Sequence, residues 1–85
     1  MITHAQLKTR FSYNPHSGRF WNLRTKKQAG ALKGNQQGYV QIKIDGVAYC
    51  RHKLAWFYVT GIYPKHRLAH KDLDTSNDAF GNLRP

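Results

Sequence analysis

Apolar and polar positions alternate most clearly over Tyr39 to Ile44, stop at Asp45-Gly46, and resume over Val47 to Arg51. A two-residue Asp-Gly connection between such runs predicts a type I′ turn, so about 39–51 reads as an antiparallel hairpin. Counting outward from the turn pairs Ile44 with Val47 and Ile42 with Tyr49 on a core face, leaving Gln41, Lys43, Ala48 and Cys50 on the outer one. The period then lengthens. Leu54, Ala55, Phe57 and Tyr58 are spaced as on a helix over about 52–60, with Gly61 where a C-terminal cap belongs. Together with Trp56 these side chains are too apolar to be exposed as a group. Near the start, Thr3-x-x-Gln6 has the form of a capping box, with Ile2 and Leu7 spaced as a hydrophobic staple. A short helix is therefore expected from about His4 to Arg10, docking through Leu7 and Phe11. Asn14 to Gly18 is dense in turn formers, and Arg19 to Leu23 reads as a strand whose aromatics need a core. Arg24 to Gln37 reads as a mobile basic loop. After Pro64, an extended piece over Lys65 to His70 enters an acidic loop, Lys71 to Ala79. Helices and an antiparallel hairpin in separate segments predict an α+β fold.

Charge narrows the picture. The chain has 85 residues with 14 Lys and Arg against 4 Asp and Glu, a formal net charge of +10. That length suits a single domain over 1–85, with 1–37 as a basic lead-in and 38–85 as the core. Three of the four acids fall between Asp72 and Asp78, so the rest is almost purely cationic. A surface that repels itself is best explained by a polyanionic partner, of which nucleic acid is the commonest. Arg19, Arg24, Lys26, Lys27, Lys33, Lys43, Arg51, Lys53, Lys65, Arg67 and Arg84 are the candidate phosphate contacts, set against the plainer reading of a solvated surface. No apolar run suits a membrane span, and Met1 to His4 does not have the form of a signal peptide. One cysteine, Cys50, precludes an internal disulfide framework and suits a reducing cytoplasm.

The order of short motifs carries more. Arg51-His52-Lys53-Leu54-Ala55-Trp56, Thr60-Gly61-Ile62-Tyr63-Pro64, Ala69-His70 and Asn82-Leu83-Arg84 follow the hairpin, and Phe11 to Trp21 precedes it. In this order and spacing the chain resembles the phage-type HNH endonucleases. The resemblance implies a small HNH-like domain ending in a ββα-metal motif, with double-stranded DNA as partner and phage origin. It implies that His70 is the general base and that Asn82 braces the loop that positions it. It also implies Mg²⁺ or another divalent cation, held by a carboxylate just before the base and by a residue on a following helix. Here the first position is Ala69 and the second falls beyond Pro85. The motif is thus expected to be incomplete, and a truncated or degenerate member with cleavage absent or weak is the leading expectation.

Asp72, Asp74 and Asp78 are hard oxygen ligands near His70, with Asp72 and Asp74 the candidate substitutes for the missing carboxylate. An EF-hand reading of the same loop fails at its sixth and twelfth positions, Asn77 and Leu83. Cys50, His52, His66 and His70 form a further candidate set, for zinc. An alternative function also follows from the scaffold. A phage protein that kept the fold and lost the chemistry could inhibit or assist a host nucleic-acid enzyme, such as a CRISPR effector, nuclease or polymerase.

Overall fold

The computed structural model describes residues 1–30, 32–33, 39–65 and 67–85, the backbone alone for 32–33. Helix α1, His4–Arg10, starts on the expected capping box. Gln6 N donates to Thr3 Oγ1 at 3.1 Å and Thr3 N donates to Gln6 Oε1 at 3.0 Å, satisfying two otherwise orphaned helix-end donors. Ile2 and Leu7 are both buried, and Ile2 N donates to the Tyr49 hydroxyl at 3.0 Å, tying the helix start to the central hairpin.

Strands β1 (Phe11–Asn14), β2 (Arg19–Asn22) and β3 (Lys27–Ala29) form one antiparallel sheet in that order. Strand β1 carries an alternation of only two periods, Phe11 and Tyr13 in, Ser12 and Asn14 out. Strand β3 lies in the segment expected to be a mobile loop, which is a correction. It is polar and shows no apolar alternation, because its order comes from backbone pairing with β2 rather than from a buried face. Trp21 also departs from expectation, since alternation buries Phe20 and leaves Trp21 47% exposed. Leu32 and Lys33 of the same predicted loop are likewise paired in a strand, and its Ala31 and Gly34 to Gln37 lie outside the described residues.

A second sheet joins β4 (Leu32–Lys33), β5 (Val40–Ile44) and β6 (Val47–Cys50). The hairpin register is the predicted one, with Ile44 opposite Val47 and Ile42 opposite Tyr49. Asp45 and Gly46 have φ of 51° and 82°, both positive as a type I′ turn requires. Ile42, Ile44 and Tyr49 enter the core, whereas Val47, beside the turn, is half exposed. Helix α2, Arg51–Thr60, follows directly and ends on left-handed Gly61, whose N–H donates to Phe57 O at 2.9 Å. Its Leu54, Ala55 and Phe57 meet Leu7, Phe11, Phe20 and Ile42 in the core. Two short strands, β7 (Ala69–His70) and β8 (Leu83–Arg84), pair antiparallel, and Leu83 is buried in the same core. The fold is α+β, and the loop between β7 and β8 returns against the start of α2.

Candidate functional site

Strand β7 places His70 opposite Leu83, and its side chain turns inward. There it meets Asp78, which is fully buried. Asp78 Oδ1 accepts from His70 Nε2 at 2.7 Å, while Oδ2 accepts from Arg51 Nε at 2.7 Å. Arg51 Nη2 also donates to Ser76 O at 2.8 Å, and Tyr13 donates its hydroxyl proton to Asp78 O at 2.6 Å. A carboxylate out of water needs such partners, because an unpaired buried charge costs several kcal/mol on the order of 3–5. Burial, with the charge of Asp78 adding to it, pushes the Tyr13 phenol pKa up, so that hydroxyl stays a donor.

His52, on the first turn of α2, completes the cluster. Its ring lies 5.1 Å from that of His70, and Tyr39 packs against both at 4.8 and 5.8 Å. His52, His70 and Asp78 each offer one ligand atom within 4.8 Å of the others. Among the described residues, His52 Nδ1 is buried without a hydrogen-bond partner. Burial lowers the His52 pKa to about 4, assisted by His70, Lys53 and Arg67 and opposed by Asp78. The folded value lies below the unfolded one, so the unfolded chain binds more protons between about pH 6.5 and 4. Stability is therefore full above the unfolded pKa and lost as pH falls toward the folded one. At pH 5 the loss from this ring is about 2 kcal/mol. Urea melts at pH 7.5 and 5 in the presence of EDTA should show it, and His52→Gln should flatten the difference.

Asn82 organises the loop. Its amide donates to Asp72 Oδ1 and to Asn77 O, both at 2.9 Å, and its Oδ1 accepts from Asp72 N at 3.1 Å. The Asn77 amide donates to Asp72 Oδ2 at 2.8 Å, and Ser76 donates through N and Oγ to Asp74 Oδ1. These bonds hold both exposed carboxyl groups below the usual carboxylate range, with the Asn77 and Ser76 bonds as the largest causes. The carboxylates of Asp72 and Asp74 thus fold the loop, and Ala69 offers no ligand. The hard-cation site implied by the resemblance does not fit these side chains.

The expected cations divide by exposure. Arg19, Arg24, Lys26, Lys27, Lys43, Lys65, Arg67 and Arg84 are exposed, and Lys53 is partly so. Arg51 is the exception, because it is 6% exposed and committed to Asp78. The Lys33 side chain and His66 lie outside the described residues. A cleft of about 330 Å³ opens beside His70, lined among others by Tyr39, Arg67, Ala69, Leu73 and Pro85. The sequence offers His52 as a zinc ligand and Asp78 as an oxygen ligand, but their meeting with each other and the pairing of Asp78 with Arg51 escaped that reading. Nothing in Asp72 to Asp78 marks which acid folds inward, and His52 is spaced like any helix residue. Cys50 is not part of the group that His52, His70 and Asp78 form. No helix among the described residues is long and apolar enough to cross a membrane.

This arrangement, a hairpin feeding a helix whose start closes over a strand-borne histidine, is an HNH-like fold. Among solved structures, the chain is similar to the HNH homing endonuclease I-HmuI, described in terms of its DNA binding and cleavage, with a TM-score of 0.70. The match covers 88% of this chain and 45% of that one at 20% identity, so the likeness is one of fold, and the chain spans less than half of that enzyme. No family profile and no curated protein matches the sequence.

Proposed function

We propose that this chain is a DNA-binding protein on the HNH-like scaffold, of phage origin, in which metal-dependent cleavage is absent or weak. The observation that carries the reading is the exposed set of arginines and lysines in a chain of net charge +10, one of which, Arg67, lines the His70 cleft. Such a set matches a phosphate backbone, and I-HmuI, which shares the fold, binds and cleaves DNA. The phage-type order of motifs from Phe11 to Arg84 supports the origin. Weak cleavage follows from Ala69 in place of a carboxylate, and from Asp72 and Asp74 being engaged within their loop.

Binding of a duplex should weaken steeply with salt, by roughly a thousandfold between 50 and 200 mM if six or more phosphates are contacted. Filter binding across that range tests it. No retention at the lowest salt would remove the DNA reading. Plasmid incubated with Mg²⁺ or Mn²⁺ should be cut little or not at all, and any cutting by this site must disappear in His70→Ala.

A further inference from the structure

We infer that His52, His70 and Asp78 form a binding site for zinc or a similar borderline transition ion, distinct from the hard-cation site the resemblance implies. Three observations support it together. Their ligand atoms lie within 4.8 Å of one another, and all three residues are buried. His52 is 3% exposed, with an Nδ1 that has no partner among the described residues, which is unusual for a buried polar atom. Asp78 is held by Arg51 through Oδ2 alone, which leaves Oδ1 directed at His70.

The chemistry of the donors selects the ion. Two imidazole nitrogens and one carboxylate oxygen suit zinc, cobalt or nickel, whereas magnesium and calcium prefer shells of oxygen. A burial-lowered pKa keeps His52 neutral at pH 7, so no proton competes for its lone pair. At His70, the ion takes the place of the proton that Nε2 now shares with Asp78, and that proton moves to Nδ1. Zinc bonds of about 2.0–2.2 Å set the donor atoms roughly 3.3 Å apart. The 2.7 Å contact between His70 and Asp78 therefore opens slightly, and no pair of donors starts farther apart than 4.8 Å. Arg51 supports the carboxylate from outside the shell. The fourth position remains open, and the charge of the ion beside Arg51 calls for an anionic oxygen there. With His70 as a ligand, its lone pair is no longer offered to water, in keeping with weak cleavage, but the site does not depend on DNA binding.

Metal-free full-length protein should be titrated with Co²⁺ and then Zn²⁺. Intense visible bands of four-coordinate cobalt are expected, displaced by zinc, and zinc at about a hundred times its Kd should raise Tm by roughly 10 °C or more. Both signals should vanish in His52→Gln and Asp78→Asn and persist in Asp74→Asn. On the unaltered protein, zinc should shift the ring-nitrogen resonances of His52 and His70 and leave those of His16 in place. Absence of cobalt bands and of any Tm gain overturns the site. So do bands that survive in His52→Gln, or histidine resonances that do not move.

Discussion

Asp78→Asn should lower stability by about 3–5 kcal/mol, the largest single-residue loss anticipated in this chain. The carboxylate is fully buried and serves Arg51 and His70 at once, each at 2.7 Å. Asparagine keeps the shape but removes the charge, and its amide offers one carbonyl oxygen where two donors wait. Arg51, whose side chain is 7% exposed, would be left as a buried cation with no carboxylate to neutralise it among the described residues, held by Ser76 O. Domains of this size are stable by roughly 5–15 kcal/mol, so a large part of the total is at stake. Removing the stranded charge should recover much of it. The double variant Arg51→Met with Asp78→Asn is expected to be more stable than Asp78→Asn alone, because apolar replacement of a buried ion pair is often close to neutral. Urea melts of the four species in a double-mutant cycle measure the coupling. A cycle in which the two losses simply add would show that the pair does not act as a unit.

The dependence on Asp78 marks the limit of what the amino-acid pattern reveals. The central hairpin was legible because Asp45-Gly46 sits between clean alternations, and α2 because Gly61 ends a helical period. The capping box of α1 was legible for the same reason, since both partners lie within four residues. Strands β1 and β3 were not, because the four residues of β1 carry too short an alternation to stand out and the three residues of β3 are polar apart from Ala29. Within the candidate site, His70 and Asn82 were visible through the order of motifs. Arg51, by contrast, looks like any surface cation until Asp78 is known to lie 27 positions away in sequence and 2.7 Å away in space. A long-range buried ion pair has no local signature, and neither does the orphaned nitrogen of His52.

The lead-in segment reaches the same site, and Gly18→Ala should show how strongly. Gly18 closes the turn between β1 and β2 with φ of +75°, its N–H donating to Asn14 O at 2.8 Å. A methyl group there would fall 2.2 Å from the carbonyl carbon of Asp78 and 2.4 Å from Ala79 N. Both are backbone atoms, so no rotamer change relieves the overlap, and Phe80 N is bonded to Pro15 O at 3.0 Å in the same contact. Left-handed strain of about 1–2 kcal/mol adds to overpacking of about 1–3, giving an expected loss of roughly 2–5 kcal/mol. Gly46→Ala separates the two contributions, because Gly46 has φ of +82° with nothing within 4 Å. It should lose only the strain, about 1–2 kcal/mol. The excess in Gly18→Ala then measures how tightly the first turn clamps the Asp78 segment, and it should be accompanied by a shift of the His70 ring resonances, because Asp78 carries both the contact and the hydrogen bond. Equal losses in the two variants would mean that the turn merely passes by the site.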